Sequence, residues 1–257
     1  MKNLLAIFLL VLVLASCKTE SAREIYSLTL YHIDSTTQEK TVDAYLSEAL
    51  LPALHRAGIG AVGVFKPTMP DTALIGKEIW VLAPYASLAE FHRINAGLLT
   101  DPLYLEAGKP YLDAPHDNPP YNRMEVTLME AFTGMPKMEK PSLTGPREKR
   151  IYELRSYEGP TEKLYRSKVK MFNAGDEIGL FRMLGFNSVF FAEVLSGSRM
   201  PNLIYMTTFD DFESREQHWK AFFDHPHWKE LLTIEEYKNT VSRADKHLLV
   251  PTDYSDY

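Results

Sequence analysis

The sequence predicts an α+β fold made of two tandem β-α-β-β-α-β units in one chain. Three observations predict it. First, 24-EIYSLTLYHI-33 and 150-RIYELRSYEG-159 share Ile-Tyr-x-Leu-x-x-Tyr at an offset of 126. Second, 79-IWVLAPYASL-88 parallels 203-LIYMTTFDDF-212, and 101-DPLY-104 parallels 225-HPHW-228, both at an offset of 124. Third, segments of strand and helix periodicity alternate in the same order in both halves. One shared marker could arise by chance. Three in one order at nearly one offset argue for a duplicated domain.

In the first half, residues 24–32 alternate and are rich in β-branched and aromatic side chains, which predicts a strand. Val42, Tyr45, Leu46, Ala49, Leu50 and Leu54 recur at helical spacing and predict a helix near 40–57. Gly58 and Gly60 stop it. Strands follow at 61–67 and 77–84, joined by a Pro-rich hairpin loop. Ser87 is a candidate N-cap for a helix through about Leu98. Asp101-Pro102 opens a short helix, because Pro is favoured at a first helical position. The loop 113–120 leads to a last strand at 123–132.

The second half repeats this order. A strand at 150–157 precedes a helix at 161–174 and a strand at 186–195. The loop 196–202 returns as a strand at 203–209. Asp210 or Asp211 caps a helix over 212–223. Residues 226–239 read as helical and 246–251 as the final strand. Between the halves, residues 133–149 are rich in Pro, Gly and charge, as a linker is. The domains are therefore 24–132 and 150–257. Each order is that of a ferredoxin-like unit, whose sheet has helices on one face and is bare on the other. Two bare faces in one chain can pack together as an intrachain α/β barrel, so a monomer would form a pseudo-dimer. Higher oligomers stay open.

Residues 1–16, MKNLLAIFLLVLVLAS, carry one Lys and then an unbroken apolar run. That is the pattern of a secretory signal, and it is short for a membrane span of roughly 20 residues. Leu14-Ala15-Ser16-Cys17 resembles a bacterial lipobox, in which the cysteine is lipidated and the signal removed in front of it. The alternative is a plain signal with a chance cysteine. Cys17 is the chain's one cysteine, which excludes an intrachain disulfide. On the lipobox reading residues 17–23 are a tether, and the protein sits at the bacterial envelope with its lipid anchor in a membrane. Loss of Lys2 with the signal takes the formal charge from −6 to −7. No basic cluster points to nucleic acid.

The strand 151-IYELRSY-157, Trp219, Phe222-Phe223 and the run His225-Pro226-x-Trp228 resemble the NIPSNAP family. The resemblance covers about 150–250. The first half is a weaker match, with Thr29 in place of Arg155 and Leu103-Tyr104 in place of His227-Trp228. The resemblance implies the dimeric α/β-barrel class, which also holds antibiotic-biosynthesis monooxygenases and chlorite-dismutase-like proteins. It implies an architecture more than an activity.

On strand 151–157 successive side chains alternate faces. Glu153, Arg155 and Tyr157 are the more polar set, and we expect them to line the barrel interior with Glu193 and Tyr205. Convergent polar groups of this kind suit a small-molecule pocket. Alternatively, Glu153 and Arg155 pair with one another as a structural device. The matching residues Ser27, Thr29 and Tyr31 would make any pocket lopsided, with a single site.

The stretch 222-FFDHPHWKE-230 suggests a metal site at first sight. Its counterpart 98-LLTDPLYLEA-107 shares only a polar cap, a Pro and an aromatic residue, so His225 reads as a helix cap and Trp228 as an anchor. His227 is left without a structural reason and joins the candidate pocket residues. No third ligand is nominated, so neither a metal nor another cofactor is expected. His32, His55, His92, His116 and His247 stand alone and are assigned no role. The sequence contains no HExxH, CxxC, GxSxG or Gly-rich phosphate loop.

Three functions remain. The first is binding of a small molecule in the barrel. The second is a cofactor-independent monooxygenase- or isomerase-like enzyme using Glu153 or His227 as acid or base. The third is a structural or interaction module with a solid core. A barrel cavity of roughly 300 Å3 or more would favour the first two, and an interior filled by Phe, Tyr and Met would favour the third.

Overall fold

The computed structural model describes residues 22–70 and 72–257. The expected signal peptide and Cys17 lie outside the described residues. Strands β1 (Ile25–His32), β2 (Gly63–Pro67), β3 (Glu78–Tyr85) and β4 (Arg123–Ala131) come from the first half. Strands β5 (Ile151–Glu158), β6 (Phe190–Ser196), β7 (Asn202–Phe209) and β8 (Arg243–Pro251) come from the second. They close into one antiparallel barrel in the order β1-β3-β2-β8-β5-β7-β6-β4. The two seams between halves are short. At one, Phe65, Lys66 and Pro67 of β2 pair with Pro251, Val250 and Leu249 of β8. At the other, β4 pairs with β6 across an irregularity between Leu128 and Met129.

Helices α1 (Thr36–Ala44), α2 (Leu51–Arg56), α3 (Leu88–Leu98) and α4 (Pro102–Leu112) cover the first sheet. Helices α5 (Glu162–Asn173), α6 (Glu177–Met183), α7 (Phe212–Asp224) and α8 (Pro226–Leu231) cover the second. The caps carry the duplication. Ser35 accepts from the Gln38 amide and Thr161 from the Leu164 amide, while Ser87 and Asp211 cap α3 and α7 in the same way. Asp101 caps α4 through the amides of Leu103 and Tyr104, and His225 caps α8 through the amide of His227.

Three elements differ from expectation. The first helix starts at Thr36 rather than near 40, and it passes through a π-helical segment, Tyr45–Leu50, before α2. Residues 177–183 form α6 after Asp176 takes a left-handed φ of 58°. A run of seven residues is too short to show periodicity in sequence, and it delays β6 to Phe190. Residues 226–239 are not one helix: α8 ends at Leu231, and only a short 3-10 turn, Glu235–Tyr237, follows.

Packing falls into three layers. One apolar cluster sits between the first sheet and its helices, around Val42, Leu46, Val64, Ile79 and Tyr104. A second lies between the other sheet and its helices, around Phe172, Phe181, Phe186, Tyr205 and Trp219. The third fills part of the barrel, with Tyr26, Phe65, Tyr152, Phe190, Met206 and Leu249. The linker contributes to that filling. Met138 and Leu143 pack against the barrel cluster, and the Met138 amide donates to Glu24 Oε2 at 2.7 Å. Tyr257 joins them, so one end of the barrel is plugged by side chains from the linker and the C-terminus.

Candidate functional site

The barrel holds two polar groupings: the expected one on β5, and another at one end of the barrel that strand periodicity does not reveal. The alternation on β5 is as expected, but its direction is reversed. Tyr152 and Leu154 belong to the barrel cluster, and Glu153, Arg155 and Tyr157 point to the helix layer. Polarity misleads here because the helix layer brings its own charge. Glu153 is fully buried. Its carboxylate accepts from Arg155 Nε at 2.7 Å, from Arg215 Nε and Nη2 at 2.7 and 3.0 Å, and from Trp219 Nε1 at 2.8 Å. Arg155 lies over the Trp219 ring at 3.6 Å and donates to Tyr157, whose hydroxyl meets Tyr205 at 2.9 Å.

Burial alone would raise the Glu153 carboxyl. The charge of Arg155 and the charge and hydrogen bonds of Arg215 outweigh it, with Trp219 adding to them, and hold it below the usual carboxylate range. Both oxygens are engaged and the acid is weakened as a base. This is the structural pairing, extended to a third and a fourth residue from α7.

The other expected members lie elsewhere. Glu193 is on the outer face of β6, where Tyr165 donates to it at 3.4 Å and Arg23 approaches at 3.7 Å. His227 stands on α8, its Nε2 at 2.8 Å from the carbonyl of Gly175. That contact ties α8 to the turn between α5 and α6 and supplies the structural reason the sequence lacked. The amide of His227 donates to His225 Nδ1 at 3.2 Å. Among the described residues no group of three or more His, Cys, Asp or Glu could hold a metal ion.

The end of the barrel opposite the plug is open. A cavity of about 150 Å3 lies there, with Leu28, Leu154, Val194 and Ile204 as apolar walls. Glu78, Trp80, Ser156, Asn202 and His247 supply polar atoms, and His32, Glu125 and Arg199 stand at the rim. None of Glu153, Arg155, Tyr157, Glu193, Tyr205 or His227 lines it. The cavity is about half the volume that would suit a drug-sized ligand, so the interior is partly filled and partly open.

Each mouth residue is placed by strand alternation. Glu78, Trp80 and Leu82 share the inward face of β3; His247 and Leu249 share that of β8. Trp80 Nε1 donates to Glu78 Oε2 at 3.1 Å, and the rings of Trp80 and His247 meet at 5.0 Å. His247 Nδ1 is shielded from solvent and has no hydrogen-bond partner among the described residues. Asn202 and Ser156 bond to each other at 2.8 Å. One sequence signal was available: Glu78 and Trp80 are two apart, on the face that repeats Ile204. In sequence their polarity fits a strand and says nothing of a site, and His247 stands alone there because Trp80 reaches it from the other half.

The NIPSNAP family model matches residues 152–256. No curated protein matches the chain. A provisionally assigned monooxygenase from Lactobacillus acidophilus NCFM has a similar structure, at 10% identity and a TM-score of 0.58, with 89% of this chain and 94% of that chain covered. Another from Fusobacterium nucleatum is similar at 7% identity and a TM-score of 0.56, covering 90% and 93%. An anthrone oxidase-like protein is similar at 11% identity and a TM-score of 0.53, covering 91% and 93%. At these identities the likeness is one of fold, and it extends over both halves. The second half of the chain, residues 152–256, is a NIPSNAP domain, which closes its barrel with a first half from the same polypeptide.

Proposed function

We propose that this protein binds a small molecule at the open end of its barrel. The observation that carries the reading is the half-filled interior. One end is sealed by Tyr26, Phe65, Tyr152 and Tyr257, while the other keeps a cavity of about 150 Å3 with apolar walls and an unpartnered, shielded His247 Nδ1. A cavity of that size holds one ring or a short chain, since about 150 Å3 is enough for benzene. A larger ligand would leave its remainder outside the mouth. The polar set on β5 takes no part in this reading.

The envelope location belongs to the same proposal, and it rests on the Leu-Ala-Ser-Cys17 pattern. Among the described residues no helix is long and apolar enough to cross a membrane.

The test is a thermal-shift screen of the mature protein against a metabolite library. A ligand well above its dissociation constant raises the melting temperature. Leu30 also lines the cavity, and Leu30→Trp, which puts an indole into the mouth, should abolish the shift. Binding that survives Leu30→Trp would move the site elsewhere, and a library without hits would favour a purely structural module. An enzymatic reading is supported by the barrel shared with proteins provisionally assigned as monooxygenases, and by two ionisable side chains, Glu78 and His247, on one cavity. Turnover of a bound hit, lost in His247→Phe, would establish it.

A further inference from the structure

We infer that the mouth selects a small organic cation, an ammonium or amidinium group on an apolar body, with Glu78 as counter-charge and Trp80 as aromatic wall. The inference rests on the mouth being the ligand site and adds the class of ligand. It starts from the charge pairing of the buried carboxylates. Glu153 and Glu177, 0% and 2% exposed, each hold a cation: Arg155 and Arg215 for the first, Lys168 at 2.8 Å for the second. Glu78 is 7% exposed and has none. Among the described residues no Lys, Arg or His nitrogen lies within salt-bridge distance of it. Its hydrogen bond comes from the neutral indole of Trp80, at 3.1 Å to Oε2. A carboxylate withdrawn from water without a counter-charge is costly, and a bound cation would remove that cost.

The neighbouring charges do not supply it. Arg199 is directed to Asp245, with Glu158 at 3.8 Å. His32 pairs with Glu125 at 2.9 Å. Lys77 is directed to Asp34, at 3.9 Å, and strand alternation turns Lys246 to the outer face of the barrel. His247 meets Trp80 rather than Glu78.

The rest of the mouth suits such a ligand. An indole face attracts a cation within about 6 Å of its centroid. The indole N–H fixes one carboxylate oxygen and leaves the other for the ligand. Leu28, Leu154 and Ile204 would hold the apolar body. In the repeat, Asn202 and Ile204 occupy the places of Glu78 and Trp80, and Asn202 is already bonded to Ser156. Of these two equivalent positions, Glu78 carries a charge and Asn202 does not.

Benzylamine and benzyl alcohol differ in charge and little in shape. Titration of the mature protein with each near neutral pH, followed by calorimetry, reads the selectivity without any variant. The expected result is that benzylammonium binds at least roughly tenfold more tightly, as a charge-assisted bond with a cation–π contact requires. Glu78→Gln, which keeps size and shape, should erase that preference, chiefly by weakening benzylammonium. If benzyl alcohol binds the wild-type protein as tightly as benzylamine, the mouth stands as a ligand site and the cation inference is overturned. A preference that survives Glu78→Gln overturns it as well. If neither compound binds, the cation inference falls, and the library screen with Leu30→Trp decides the mouth separately.

Discussion

Glu153→Gln is the most informative single change in the buried network. The substitution keeps the shape and removes the charge. It leaves Arg155 and Arg215, whose side chains are 10% and 11% exposed, against a neutral amide. Of the four hydrogen bonds to the carboxylate, three come from guanidinium nitrogens. The amide nitrogen would also oppose at least one donor. Breaking a buried ion pair at one partner costs about 3–5 kcal/mol. For a chain of this size that lowers the melting temperature by roughly 6–20 °C. Urea unfolding followed by circular dichroism measures it. Arg215→Met should cost a similar amount, and the double variant should lose less than the sum by about 1–3 kcal/mol, because the two side chains share bonds. The pH dependence has a definite sign. The folded carboxyl is held below its unfolded value of about 4.3. Its contribution is therefore full above that value and is lost as pH falls through the lower, folded one. The gap between wild type and Glu153→Gln should be constant from neutral pH to about 5 and shrink in stronger acid. A loss under about 1 kcal/mol, or strict additivity with Arg215→Met, would refute the reading of this network as a structural pairing between β5 and α7.

Three further outcomes can be checked. His225→Ala should cost about 1 kcal/mol by uncapping α8, while His225→Asp, the residue of the first repeat at that place, should be close to neutral in urea unfolding. His227→Phe should lose the hydrogen bond to the Gly175 carbonyl, worth about 1 kcal/mol, and should leave ligand shifts at the mouth unchanged; a lost shift would return His227 to the binding site. Cys17→Ala should leave an uncleaved, unlipidated precursor, read by mass spectrometry and detergent partition, and normal processing with membrane retention would rule out lipidation at Cys17.

Much of the fold is legible in the sequence because its signals are local. The caps Ser87, Asp101, Asp211 and His225 are each read from a few residues, and all four cap as expected. The strands around Ile25 and Ile151 follow from alternation. The closed barrel follows from two bare sheet faces in one chain. Helix α6 escapes because seven residues carry too little periodicity, and the π-helical segment leaves no mark on the spacing that predicts helix 40–57.

The candidate site is a different case. Alternation on β5 divides Tyr152 and Leu154 from Glu153 and Arg155, and that division is correct. It does not say which set faces the barrel. The decision comes from Arg215 and Trp219, more than sixty residues along the chain, whose donors meet Glu153 and make a charged strand face buriable under helices. The mouth likewise needs β3 from one half and β8 from the other before Trp80 and His247 touch. Strand period, caps and duplication are properties of neighbouring residues, so the sequence by itself determined them. Which face is inside, which carboxylate finds a cation and which end of the barrel stays open depend on side chains brought together by closure, and only the tertiary structure decided them.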